Sequence, residues 1–363
     1  MSSIWGNNIK VSIFGESHGK AIGATIDNLP AGEKINLEKV YLQMWRRRPG
    51  KNKLSSQRNE NDNAHIISGF LNGYTTGTPL CVLIENNNTN SSDYKELESV
   101  MRPSHADYPG NIKYKGYQDI RGGGHFSGRL TAGLAFVGAI CRQILENRGI
   151  KICAHISSIG NIYDKKLNSL ENIEDNLYNS LISESFPVID PIKKEQMQDL
   201  IYSCKNNKDS IGGTIECAVY GLNAGIGSPI FENIESVISS IIFSIPAIKG
   251  IEFGAGFDLA TMNGSVANDP YYIKDNIIKT KTNHSGGIAG GLSNGMPIIF
   301  RVVVKPTPSI AQPQHTINIT TKENTILEIK GRHDPCIATR IVPVIESACA
   351  IAILDLLKGD GKV

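Results

Sequence analysis

The stretch GRLTAGLAFVGAICRQILEN, residues 128–147, decides the fold. Its apolar residues fall at every helical offset, so as a helix it has no polar face to turn to water. A second stretch, VPVIESACAIAILDLLK at 342–358, has the same character. Pro343 is expected in its first turn, where the missing N–H would have had no partner anyway. Two such helices cannot cover one another completely, so the rest of their cover must come from sheets on both sides. Alternating runs supply strands: IKVSIFG at 9–15, PLCVLIE at 79–85 and MPIIFRVVVK at 296–305. The expected architecture is an α+β sandwich, β-α-β, with a central helical layer.

The chain also echoes itself. ATIDNLPAG at 24–32 and AVYGLNAG at 218–225 each read as a strand closing in an Ala-Gly turn. An amphipathic helix follows each. In the first, Leu37, Val40, Tyr41, Met44 and Trp45 keep helical spacing behind Asn36, a suitable N-cap. In the second, Ile234, Val237, Ile238, Ile241 and Ile242 repeat that spacing. Two common strand–turn–helix units or a duplicated fold explain this equally well. Residues 161–208 are polar and rich in Asn and Lys, expected at the periphery, with a helix near Lys194–Cys204. No linker divides the chain, so residues 1–363 read as a single domain.

Composition narrows the function. A net charge of +2 gives no overall field for nucleic acid, and 7% aromatics is sparse for base stacking. The seven cysteines are scattered without a C-x-x-C pair, which argues against zinc and disulfides. No His/Asp/Glu cluster has metal spacing, so no metal is expected. The N-terminus lacks a signal peptide, and no apolar run is long enough for a membrane span, so a cytoplasmic location is expected.

Five segments set glycines beside cations or histidine: GESHG (15–19), WRRRPGKNK (45–53), RPSHADY (102–108), RGGGHFSGR (121–129) and GRHDPCIATR (331–340). A sixth, NHSGGIAGGLSNG (283–295), is rich in glycine alone. Each has an ordinary explanation on its own. Glycines mark turns, and Arg46, Arg47 and Arg48 suit the negative end of a helix dipole. Together the first five hold four of the eight histidines and most of the clustered arginines. Arginines grouped with bare backbone N–H groups at a helix N-terminus describe a polyanion site. RGGG is neither a Rossmann fingerprint nor a P-loop, and GESHG lacks the strand and helix succession of a hydrolase elbow.

In this order, GESHG, RRRPG, RPSHADY, RGGG, NHSGGIAGG, KPTPS and GRHDPC resemble the chorismate synthases over essentially the whole chain. The resemblance implies that the two sheets are antiparallel and the fold internally pseudo-duplicated. It implies a lyase of the shikimate pathway and of aromatic amino acid biosynthesis. Such a flavoprotein uses reduced FMN to eliminate phosphate from 5-enolpyruvylshikimate 3-phosphate, giving chorismate. By the same resemblance His18 protonates the leaving phosphate, His105 sits by the flavin, and Ser17 and Asp334 relay a proton from flavin N5. FMN would lie against His125, Phe126, Ser127, Pro246, Ala247, Gly290, Lys305, Pro306, Thr307, Pro308, Ser309 and Arg332, with its phosphate near the RGGG backbone. Arg47, Arg48, Lys53, Arg129 and Arg340 would face the substrate. His125 and Phe126 stand where the family usually has arginine and serine, and Lys53 where it often has arginine. Some members add an NADP-linked flavin reductase activity. With no added segment here, the resemblance implies an external flavin reductant, a homotetramer, and neither nucleic acid nor membrane as partner. The alternatives are another flavin-dependent oxidoreductase acting on a phosphorylated anion, which would consume reductant, and a nucleotide- or RNA-binding module, whose affinity would fall steeply with salt.

Overall fold

A computed structural model describes residues 3–50, 60, 62–87, 96–329 and 334–363. Two of the proposed site residues, Lys53 and Arg332, lie outside the described residues. The first sheet orders its strands Ile4–Trp5, Lys10–Gly15, Ala21–Asp27, Leu80–Glu85, Ala64–Ser68. The second orders them Ile162–Tyr163, Lys151–Ile159, Gly213–Tyr220, Ile298–Val304, Ile248–Phe253. All pairings are antiparallel. Between the sheets run the helices Thr131–Glu146 and Ala338–Gly359, flanked by Leu37–Arg47 and Ile234–Ile242. The expected sandwich is present, with one large core spanning helices and both inner sheet faces.

The internal echo is a duplication. Four strands of each sheet share one connection order, with the latest strand inserted between its two predecessors; the fifth, edge strand precedes its neighbour in the chain in the first sheet and follows it in the second. The two Ala-Gly turns are also tied down by the same device. Thr75 Oγ1 donates to the Pro30 carbonyl and accepts from the Glu33 N–H. Ser293 Oγ donates to the Asn223 carbonyl and accepts from the Ile226 N–H. Each hydroxyl sits in a short hairpin, Phe70–Thr75 or Ile288–Ser293, that leads through Gly77 and Pro79, or Gly295 and Pro297, into the inserted strand. A recurrence of side-chain bridge, hairpin and strand order is far more specific than two strand–turn–helix units alike by chance.

The two central helices differ from expectation at their starts. The first begins at Thr131, after a separate turn at Gly128–Leu130. The second begins at Ala338, so Pro343 is its sixth residue and not in its first turn. Glycine decides how closely the two approach. A Cβ at Gly138 would lie 2.6 Å from both Cα and carbonyl oxygen of Ser347.

The first amphipathic helix also turns differently than its apolar stripe suggests. Val40 and Met44 are buried, but Tyr41 and Trp45 are exposed, while Gln43, Arg46 and Arg47 face inward. Glu346, fully buried in the second central helix, draws these polar groups in. Its carboxylate accepts from Arg46 at 2.5 and 3.1 Å, from Gln43 at 2.9 Å and from the Ala154 N–H at 3.1 Å. Arg142 donates to Gln43 at 3.0 Å. This network joins three helices and the second sheet, and satisfies ions that burial would otherwise make costly.

The peripheral segment carries helices Asp175–Ser183 and Pro191–Asn206, the latter capped by Asp190. The segment covers the outer face of the second sheet, which is why Lys151–Ile159 and Gly213–Tyr220 are buried on both faces. His155 ties it down. Its Nδ1 meets Asp164 at 2.9 Å and its Nε2 meets Glu216 at 3.1 Å. Carboxylates only accept, so both ring nitrogens carry protons and the buried ring is cationic. Burial opposes that charge, but the two carboxylates raise the His155 pKa above its ordinary value. Asp164 is held below its ordinary value, burial being outweighed by His155 and two backbone N–H groups.

Two outcomes follow from this architecture. Gly138→Ala should destabilise the protein by about 1–3 kcal/mol through overpacking, read as a lowered denaturation midpoint; an unchanged midpoint would mean that the helices can part freely. The His155 node has a pH sign. A raised His pKa contributes stability below about 6.5 that is lost as pH rises through the folded value, and a lowered Asp pKa contributes above about 3.9. The node should therefore stabilise most between about pH 4 and 6.5. The gap in Tm between the wild type and His155→Gln should be wider at pH 6 than at pH 9; a gap that widens toward pH 9 would mean the buried ring is neutral.

Candidate functional site

Both central helices begin at one cleft of about 590 Å³. Thr131 from the first and Ile337, Arg340 and Ile341 from the second line it. Two helix N-termini at one opening give a positive electrostatic bias before any side chain is counted. The cleft is further walled by Arg47, Arg102 and His105, by the 125–129 segment, by Phe243–Lys249, and by Lys305 and Thr307–Ser309.

One wall is an interlocked cluster of arginines and carboxylates. Arg47, the last residue of its helix, is buried and bonds Asp62 at 3.1 Å. Arg129 bonds Asp62, Glu60 at 3.0 Å and Asn86 at 3.0 Å. Arg340 bonds Asp334 and donates to the Arg47 carbonyl at 3.1 Å. Burial, offset by Asp62 but joined by Arg340 and Arg129, pushes the Arg47 pKa down to about 10, so it remains a cation at neutral pH. Asp62 is held below the usual carboxylate range, burial being overcome by Arg47 and Arg129. Arg47 Nη2 is buried with no hydrogen-bond partner among the described residues. A buried guanidinium donor left unmade is costly, and a ligand anion is the natural acceptor for it.

A second part of the lining is formed by the turns at 243–249 and 305–309. Lys305 donates to the Ser104 carbonyl at 2.6 Å, and its pKa is lowered by burial and by Lys249. Neither lysine is ion-paired among the described residues, so both offer charge to an anion. Thr307 Oγ1 is buried without a partner among the described residues, and Arg102 reaches Ser309 Oγ at 3.4 Å. Ala247, with φ +74°, turns the backbone sharply at this wall.

The RGGG turn explains why it needs three glycines. Gly122, Gly123 and Gly124 all have positive φ, at 61°, 84° and 53°. A Cβ at Gly122 would stand 2.6 Å from His18 Cδ2 and 2.8 Å from Ser17 Oγ. One at Gly123 would stand 3.4 Å from His105 Nε2. One at Gly124 would overlap the Asp119 carbonyl oxygen. The groups that approach this backbone most closely therefore belong to the chain itself, two of them the proposed histidines.

The expected residues divide as follows. Arg47, His105, His125, Phe126, Ser127, Arg129, Pro246, Ala247, Lys305, Thr307, Pro308, Ser309, Asp334 and Arg340 line the cleft. His18 and Ser17 are buried behind Gly122, next to the lining. Pro306 packs toward Gly212 and is not in the lining, and Gly290 lies in its hairpin away from it. Arg48 faces a different recess, with Tyr41, Trp45 and Asp62. His125 is exposed; its Nδ1 lies 2.9 Å from the Gly15 carbonyl, and its Nε2 is 3.4 Å from Ser3 Oγ. Phe126 packs against Gly110 and edge-on to Tyr114 at 6.0 Å. Sequence reasoning missed Glu60, Asp62, Arg102, Asp107 and Lys249. Arg102 and Asp107 stood inside the quoted RPSHADY; Lys249 and Asp62 carried no motif. Among the described residues, no cluster could hold a metal ion and no helix is long and apolar enough to cross a membrane.

The glycines make a graded prediction. Gly124→Ala should lower Tm most, Gly122→Ala less, and Gly123→Ala least, since only the last adds strain without overlap. A series in which Gly123→Ala is the most damaging would contradict these contacts.

A family model described as chorismate synthase matches residues 9–357. A chorismate synthase of Dehalococcoides mccartyi is 42% identical over 363 residues, covering 100% of this chain and 98% of that protein. One of Pyrococcus abyssi is 44% identical over 354 residues, covering 97% and 96%. A crystal structure of chorismate synthase superposes with a TM-score of 0.73 at 28% identity, covering 98% of this chain and 93% of that one.

Proposed function

The chain belongs to the chorismate synthase family and is a lyase of aromatic amino acid biosynthesis, and we propose that the cleft where its two central helices begin is where phosphate is eliminated from 5-enolpyruvylshikimate 3-phosphate. The observation that carries this reading is the buried, unpartnered Arg47 Nη2 on a wall with Arg129 and Arg340. The substrate brings two carboxylates and a phosphate, any of which supplies the acceptor that Arg47 Nη2 lacks among the described residues.

The lining at 243–249 and 305–309 suits FMN. Thr307 Oγ1 is an unmade donor, Lys249 and Lys305 are cations without carboxylate partners, and Pro246–Ala247 gives an apolar turn between them. These residues would hold the flavin, with Ser309 fixed by Arg102 at the base. When bound, reduced FMN lends electron density to C–O cleavage and recovers it, so the elimination has no net redox change.

The chain's own contribution is binding, orientation and proton transfer. Arg47, Arg129 and Arg340 fix the substrate anions and neutralise charge growing on the departing phosphate. His18, behind Gly122 and near Asp119, protonates that phosphate. His105 presents Nε2 beside Gly123 toward the cofactor. Asp334, held by Arg340, and Ser17 Oγ, buried without a partner, hold or accept the proton that leaves the ring. Residues 1–363 act as one domain in the cytoplasm, supplied with reduced flavin by an external reductant. A homotetramer fits the exposed Tyr271, Ile273, Ile277 and Ile278 on the hairpin Tyr271–Thr280, an apolar surface suited to another subunit.

The test is anaerobic. With dithionite-reduced FMN and substrate, phosphate and chorismate should appear together with no net consumption of reductant. Consumption of reductant in step with product would favour the oxidoreductase alternative. Arg47→Lys keeps charge but loses the second donor, and should lower kcat/KM by roughly 10- to 100-fold with the fold unchanged by circular dichroism. Wild-type kinetics from this variant would remove Arg47 from the site.

A further inference from the structure

His105 does not stand alone in the cleft wall. Asp107, the first residue of the helix Asp107–Tyr114, is buried beside it. One carboxylate gathers four donors. Its Oδ2 accepts from the Arg102 N–H at 3.0 Å and Arg102 Nε at 2.7 Å. Its Oδ1 accepts from Arg102 Nη2 at 2.7 Å and lies 2.6 Å from His105 Nδ1. The forked Arg102 contact fixes the plane of the carboxylate, which therefore cannot turn to follow the imidazole. The turn that leads from Arg102 into His105 is held in an unusual backbone conformation, with Ser104 at φ +58°. The Ser104 carbonyl is in turn bonded by Lys305. Asp107 lies well below the usual carboxylate range, burial being outweighed by Arg102 and then His105, so it is an acceptor at any physiological pH.

An acceptor at Nδ1 has a definite consequence. The proton on Nδ1 is the one that is kept, and any proton the ring gains or loses is on Nε2. Nε2 is also the atom near Gly123, next to the lining residue Gly122, and His105 itself lines the cleft. We propose that Asp107, locked by Arg102, is a positioning residue that keeps His105 protonated at Nδ1 and turns Nε2 to the cleft as its only exchangeable face. The inference rests on the proposed function only for what Nε2 meets; the proton arrangement belongs to the protein without ligand. Among the described residues the charged groups bonded to the ring or its segment are Asp107 and Arg102 and, on the Ser104 carbonyl, Lys305. Of these, only Asp107 contacts a ring nitrogen among the described residues.

The experiment separates the two levels. Full-length protein labelled with ¹⁵N-histidine, without ligand, is followed by long-range ¹H–¹⁵N correlation across pH 5–9, with His105→Asn assigning the signal. The wild-type ring should show a protonated Nδ1 at every pH, any titration appearing at Nε2. A wild-type ring protonated at Nε2 alone overturns the proposal whatever the variants do. Asp107→Asn should shift the proton toward Nε2, because the amide can donate to Nδ1, and lower kcat at least about tenfold. Asp107→Glu should restore the Nδ1 proton and part of the rate. An Asp107→Asn ring identical to wild type in proton position and titration would also overturn it. Failure of the wild type to form chorismate would instead strike the functional reading and leave the proton arrangement standing.

Discussion

The structure depends on how closely its two buried helices meet. Gly138 leaves no room for a side chain against Ser347, so Thr131–Glu146 and Ala338–Gly359 lie almost in backbone contact. That approach draws both sheets inward over one continuous core. It also brings the two helix starts to the same opening, where their N-terminal dipoles add. The site follows from the packing: the duplicated halves supply one helix each, and the chain segments that lead into those helices, RGGGHFSGR and the stretch ending in Arg340, supply its walls.

Charge is managed in two different ways within the same helix. Arg46 and Arg47 are neighbours at the end of Leu37–Arg47. Arg46 is fully satisfied: Glu346, Gln43 and the carbonyls of Leu181 and Glu184 take every donor direction, so it serves the fold. Arg47 is satisfied only in part, with Asp62 on one side and Nη2 unmade. A residue that leaves a buried donor open lowers stability, and such an expense is found where a ligand completes the bond. Asp62 has the matching role. By holding both Arg47 and Arg129, it keeps two like charges together at the cleft wall.

Some of this was legible in the residues and some was not, for physical reasons. The two central helices were legible because an apolar residue at every offset leaves a helix no alternative to full burial. The strands Lys10–Gly15, Leu80–Glu85 and Ile298–Val304 were legible from their alternation, and the helix Ile234–Ile242 from its spacing. The helix Leu37–Arg47 was misjudged in its face, because the group that draws Gln43 and Arg46 inward is Glu346, distant in the chain and silent in any local pattern. Pro343 reads from sequence as a first-turn residue because the polar Thr339 and Arg340, the latter lining the cleft, conceal the helix's true beginning. The duplication showed in two short echoes, but its proof lay in Thr75 and Ser293, whose shared hydroxyl bridge appears only in three dimensions. The RGGG turn marked a close approach correctly; that His18, Ser17, His105 and Asp119 make that approach could not be read from spacing. Lys249 and Asp62 had no signature at all, being single charges in ordinary surroundings.

The central claim is that the arginine wall at the start of both helices receives the substrate's anionic groups. A crystal structure of the protein with 5-enolpyruvylshikimate 3-phosphate and FMN, soaked and frozen anaerobically, tests it most directly. The account predicts a carboxylate or phosphate oxygen within hydrogen-bond distance of Arg47 Nη2, with Arg129 and Arg340 around the same ligand. Substrate bound elsewhere, with Arg47 Nη2 still facing only protein, would contradict it.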